Sequence, residues 1–113
     1  MTALTSFGDA SRVMPLPDGT FRADIPADWA QGRTAFGGLA ASVLIRAVQQ
    51  LPGLSDLPVR SVDAAFVGPV PPGPVLIRAQ LLRQGKYLTH AVAELTGATG
   101  DQPLTRIHVV LGR

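Results

Sequence analysis

Two adjacent glycines, Gly37 and Gly38, stand just ahead of an apolar run from Leu39 to Gln50 that only Ser42, Arg46, Gln49 and Gln50 interrupt. That pattern predicts a central helix enclosed by other structure. Glycines at its start leave backbone N–H groups uncovered at the positive end of the helix dipole, where they can meet an oxyanion or a polarised carbonyl. The same pair also has a purely steric reading, as a tight turn into the helix and room for a sheet to pack over it. The glycines alone do not separate the two.

Acyl-transfer chemistry at such donors needs a general base or a nucleophile as well. The helix holds no Asp or Glu, so any carboxylate base has to come from elsewhere. Asp63 lies in an otherwise apolar segment and is expected to share a strand face with Val59, Ser61 and Ala65. From there it could act as a base across a subunit seam; the other reading of a lone strand carboxylate is a solvated residue on the outer face. Glu94 shares a face with His90 and reads as part of an exposed polar strip, as does His108 beside Arg106. Two histidines and no cysteine argue against a metal site. No Gly-x-Ser-x-Gly elbow occurs, and Ser42 has no His nearby in sequence. Gln49 lies near the far end of the helix from the glycines.

The elements that must position these groups fit into one domain of 113 residues, with residues 1–10 expected to fray. Ser11 to Leu16 reads as a short first strand, and Thr20 to Ile25 as its hairpin partner across a Pro- and Gly-rich turn. Trp29 is expected to cover the edge of the core. After Leu51-Pro52-Gly53 stops the helix, the period changes to two. Val59–Val67, Val75–Gln84, Leu88–Thr96 and Leu104–Leu111 are each strand-length, and in the last one Thr105, Ile107, Val109 and Leu111 face one way while Arg106 and His108 face the other. Short, turn-rich connections make antiparallel neighbours the expectation. The predicted class is α+β, an antiparallel sheet of five or six strands wrapped around one long central helix.

Composition narrows the function. Ten basic residues against eight acidic ones are scattered, with no basic run and few aromatics, which argues against nucleic-acid binding. No run approaches the length of a membrane span, and no secretory leader is evident, so a cytoplasmic protein without membrane partners is expected. The apolar fraction of 46% is high for a small domain and points to an oligomer that covers part of it.

Three separated motifs, Arg33-Thr-Ala-Phe-Gly-Gly38, Arg60-Ser-Val-Asp-Ala-Ala-Phe-Val-Gly-Pro69 and Leu82-Arg-Gln-Gly-Lys-Tyr-Leu-Thr89, occur in an order that resembles the hotdog fold. More narrowly, the chain resembles the first half of double-hotdog acyl-CoA thioesterases, over roughly Trp29 to Leu111. The resemblance implies two hotdogs side by side, with an acyl-CoA in the seam and its carbonyl polarised at the helix start. It assigns Phe36 to the site wall and the backbone N–H of Gly37 or Gly38 to the oxyanion. Arg33, Arg60 and Lys86 are then candidates to meet the CoA phosphates. The implied partners are an acyl thioester and either a second copy of the chain or another hotdog, and no cofactor is called for. In the double-hotdog enzymes the catalytic acid lies largely in the second hotdog. A non-catalytic hotdog that binds an acyl thioester, or one that merely pairs with a catalytic hotdog on another chain, therefore stays open beside the thioesterase.

Overall fold

The computed structural model of the chain describes residues 5–31, 34–35, 37–99 and 102–112. Arg33 and Phe36, two of the residues singled out above, lie outside the described residues.

The hydroxyl of Ser6 accepts the Asp9 N–H and caps one helical turn, α1 (Phe7–Ala10). Ser11 closes this turn, and of the expected first strand only β1 (Met14–Pro15) pairs, antiparallel with β2 (Phe21–Ile25). The segment expected to fray is also tied down from Thr5 onward. The Thr5 backbone N–H and hydroxyl donate to the two carboxylate oxygens of Asp28 at 2.6 and 3.0 Å, and the Trp29 indole N–H donates to the Thr5 carbonyl at 2.7 Å. Phe7 tilts against Trp29 with ring centroids 5.8 Å apart. Trp29 covers the edge of the core, as its sequence context suggests.

A two-stranded ribbon, β3 (Ala30–Gln31) with β4 (Thr34–Ala35), leads into the central helix α2 (Gly37–Gln49). The helix closes with tighter backbone bonds, Gln50 N–H to Ala47 and Leu51 N–H to Val48. Then come β5 (Val59–Phe66), β6 (Gly73–Gln84), β7 (Leu88–Gly97) and β8 (Pro103–Gly112). All pairings are antiparallel, in the order β1-β2-β6-β7-β8-β5.

One face of this six-stranded sheet meets one stripe of α2. Leu39, Ala40, Val43, Leu44, Ala47 and Val48 are buried from the helix, and Val75, Ile77, Ala91, Ala93, Leu95, Ile107, Val109 and Leu111 from β6, β7 and β8. Each fully buried Leu, Ile or Val contributes about 1.5–3 kcal/mol, so this contact dominates the fold's stability. Among the described residues the helix is not enclosed all round. A single sheet covers one side, leaving Ala41, Ile45 and Gln49 half-buried and Arg46 exposed.

The helix packs on β6, β7 and β8, but β5 lies beyond it at the sheet edge. Every residue of β5 is consequently exposed, on both faces. The far end of the β6–β7 hairpin also passes the helix, and Leu81 to Leu88 are exposed there. Gly85 makes that hairpin possible: its N–H donates to the Leu88 carbonyl at 2.8 Å, and a Cβ on it would stand 2.7 Å from the same oxygen.

Candidate functional site

Gly37 and Gly38 are the first turn of α2 itself rather than a turn ahead of it. Neither has a positive φ, so a left-handed turn is not what glycine supplies here. Their N–H groups have no carbonyl four residues back within the helix and are the natural donors for an incoming oxygen. Ser42, one turn on, donates its hydroxyl to the Gly38 carbonyl at 2.7 Å. That bond holds the hydroxyl against the helix's own backbone.

What stands against the helix start is Phe66, the last residue of β5. A Cβ on Gly37 would lie 3.3 Å from the Phe66 ring, so a bare glycine lets the ring approach the backbone. The ring is 59% exposed. Phe66 pairs with Thr105 in register, and Thr105 with Leu95. Thr105 is fully buried on the helix-facing side, and its hydroxyl finds no hydrogen-bond partner among the described residues. An unsatisfied buried hydroxyl costs about 1–3 kcal/mol and marks a polar spot in an otherwise apolar wall. Sequence reasoning missed both residues. Alternation assigns Thr105 to the inner face, but not its lack of a partner, and nothing local shows which end of which strand passes the helix start.

Asp63 is not brought to this place. It pairs with His108, whose side of β8 is the outer face, whereas Val62, Ala64 and Phe66 pair with the buried Val109, Ile107 and Thr105. The carboxylate and the helix start are thus on opposite faces of the sheet. The expected company of Asp63 changes as well: a bulge at Arg60 turns Val59 to the helix side, opposite Leu111, while Ser61 and Ala65 stay with Asp63. A concavity of about 500 Å³ lies on this outer face, lined by Asp63, Arg78, Gln80, Glu94, Arg106 and His108 among others. There Arg106 and Glu94 form an ion pair at 3.1 Å.

Arg60 and Lys86 lie together at the opposite end of the sheet from Gly37. Leu88 pairs with Gly112 and Val59 with Leu111, which puts the hairpin tip beside the start of β5. Lys86 stands 5.4 Å from the ring centroid of Tyr87. From Arg60 to Phe66 the strand covers about 20 Å at the usual rise per residue.

The sequence pattern of the acyl-CoA thioesterase N-terminal domain matches residues 25–112, which takes in α2 and all four long strands. The chain belongs to this family. No match to a curated protein is found. Among solved structures, a conserved protein with a hotdog fold from Alicyclobacillus acidocaldarius is 19% identical, with a TM-score of 0.84 over 97% of this chain and 40% of the other. A Thermobifida fusca protein has the same identity and TM-score, and 41% of it is covered. The acyl-CoA thioesterase N-terminal domain described here thus spans about two-fifths of the length of these two structures. A Bacillus halodurans protein solved with CoA is 16% identical, with a TM-score of 0.73 over 92% of this chain and 74% of that one. At these identities the likeness establishes the fold, a hotdog, as the motifs imply.

Proposed function

We propose that this chain binds an acyl thioester, its carbonyl oxygen at the first-turn N–H groups of α2, in a seam that a second hotdog completes along β5. The observation that carries this reading is the Phe66 ring lying against Gly37 at the exposed edge of the sheet. It sets the first-turn backbone donors of α2 beside an apolar surface that the described residues leave open. The match to the acyl-CoA thioesterase N-terminal domain and the fold shared with a protein solved with CoA point to the same ligand class.

Among the described residues the outer edge of β5 has no neighbour in the sheet. A second copy paired antiparallel along that edge brings the Val59 end of one β5 beside the Phe66 end of the other. Arg60 and Lys86 of one copy then serve the site of its neighbour, where they meet the phosphates of a CoA whose thioester lies at Gly37. Arg33 is proposed for the same phosphates and Phe36 for contact with the ligand on the family resemblance alone.

Hydrolysis adds water to the polarised carbonyl, the first-turn N–H groups hold the resulting oxyanion, and the C–S bond then breaks to release the thiol. One such donor is typically worth about 2.7–4 kcal/mol in the transition state. On this reading the base that takes the proton of the water comes from elsewhere than Asp63, whose carboxylate lies on the outer face, and α2 has no carboxylate to offer. These two facts favour a second reading: this hotdog binds and polarises the thioester while the partner hotdog contributes the base.

Titration of a non-hydrolysable acyl-CoA at two salt concentrations tests the proposal. Saturable binding that weakens as salt rises, and that is lost in Gly37→Val, is expected. Absent or salt-independent binding would favour a purely structural role.

A further inference from the structure

We propose that His90 and His108 form a two-imidazole site for a late first-row divalent metal ion on the outer face of the sheet. Counting histidines argues against a metal site, but the count does not show that both stand on adjacent strands and the same face. In register, His90 pairs with Val110 and Val92 with His108, so the two imidazoles are diagonal neighbours across β7 and β8. His90 Nδ1 and His108 Nε2 are 2.9 Å apart, both side chains are half-buried, and the rings are tilted by 55° with centroids 5.1 Å apart.

At 2.9 Å the two nitrogens share a hydrogen bond, which requires one N–H and one lone pair. The spacing is also that of two ligands on one ion. Metal–nitrogen bonds of about 2.0–2.1 Å set cis ligands of a tetragonal shell about 2.9 Å apart and those of a tetrahedral shell about 3.3 Å apart. The strands fix both Cβ atoms, while the second side-chain torsion of His is soft. A swivel of the rings aims both lone pairs at one point without moving the backbone. Each ring binds the ion in its neutral form, with its proton on the outward nitrogen, His90 Nε2 and His108 Nδ1, the N–H of the former hydrogen bond having moved to the outer nitrogen of its own ring.

The charges around the pair are mixed. Asp63 stands opposite His108 on β5 and Arg83 opposite His90 on β6, and the Arg106–Glu94 ion pair occupies the next row. Among the described residues no group of three His, Asp or Glu side chains makes a ready site, so the protein contributes two ligands. Water or a small exogenous ligand takes the remaining positions, with room for it in the adjoining concavity of about 500 Å³. A two-imidazole set without thiolates is expected to bind Cu²⁺ more tightly than Ni²⁺ or Zn²⁺. The bound ion would fasten β7 to β8. This site is independent of the acyl-thioester reading, since it lies on the other face of the sheet.

The test is calorimetric titration of untagged protein with Cu²⁺, Ni²⁺ and Zn²⁺, alongside Cu²⁺ broadening of the amide NMR spectrum. One ion per chain is expected, with Cu²⁺ tightest and broadening centred on residues around 90 and 108. His90→Gln and His108→Gln should each weaken binding by at least about ten-fold, the loss that even an outer-shell partner of a metal ligand causes. Circular dichroism checks that both variants fold, and the broadening pattern of the unaltered protein decides if they do not. No saturable binding below millimolar ion, affinity untouched by either substitution in a folded variant, or broadening centred elsewhere would overturn the proposal.

Discussion

The Phe66 ring lies against Gly37 so closely that a Cβ on the glycine would stand 3.3 Å from it. This contact joins the edge strand to the start of the central helix and defines the mouth of the proposed site. Gly37→Ala should be tolerated, because an exposed ring can yield by a few tenths of an ångström. Gly37→Val should not, since its branched side chain crowds the N–H groups as well as the ring. Acyl-CoA affinity is expected to fall about ten-fold or more in Gly37→Val, with a much smaller fall in Gly37→Ala. Phe66→Ala should also weaken binding while changing stability little, because the ring is exposed. Calorimetric titration with parallel thermal melts separates the two effects. Equal affinity in all three variants would remove the helix start from the site.

Asp63→Asn should be nearly silent. The carboxylate projects from the outer face, away from Gly37, and surface substitutions of this kind usually stay within about 0.5 kcal/mol in stability. Thioesterase turnover, measured with medium-chain acyl-CoAs, should likewise be unchanged in any assembly that shows activity. A loss of turnover with ligand binding intact would return Asp63 to the role of base and require a seam geometry other than pairing along the β5 edge.

Much of this architecture is legible in the sequence, and the exceptions have physical causes. The four long strands fall within about two residues of their expected limits at either end, because alternation and turn residues fix them together. The first strand is shorter than its β-like sequence suggests because Ser11 closes the helical turn that Ser6 caps and only Met14 and Pro15 find partners on β2. Val59 faces the helix rather than joining Asp63 because a bulge at Arg60 breaks the period of two, and no residue there announces it. The glycines at the helix start are plain in the sequence. The Phe66 ring over Gly37, and the pairing of His90 with His108, depend on which strands become neighbours, which is settled only by the closed sheet.

The exposed edge of β5 should be where two hotdogs join. Its outward backbone groups lack a neighbouring strand among the described residues, and Val59, Val62 and Phe66 present apolar side chains on the helix side. Light scattering is expected to give a dimer or a larger closed assembly at micromolar concentration. Val62→Lys places a charge in the middle of that surface and should shift the equilibrium to monomer, with loss of acyl-CoA binding. A monomeric unaltered protein that still binds acyl-CoA would show that the site needs no second hotdog.

The N-terminal segment should loosen in acid. Asp28 accepts hydrogen bonds from the Thr5 backbone N–H and hydroxyl, and the backbone bond is the main cause that holds its carboxyl below the usual value of 3.8, against an opposing desolvation effect. Because the folded pKa lies below the unfolded one, the contribution is fully present above the ordinary carboxylate range. It is lost as the pH falls through the depressed folded value. Trp29 reports on it directly, since its indole N–H donates to the carbonyl of the same Thr5, and it is the only tryptophan in the chain. Its fluorescence should change at acid pH before the far-ultraviolet circular dichroism of the sheet does. Asp28→Asn should produce the loosened signal already at neutral pH, because a neutral amide is the weaker acceptor for the Thr5 donors. Coincident acid transitions of Trp29 and the sheet, in both the unaltered protein and the variant, would show that the segment is not a separately released strap.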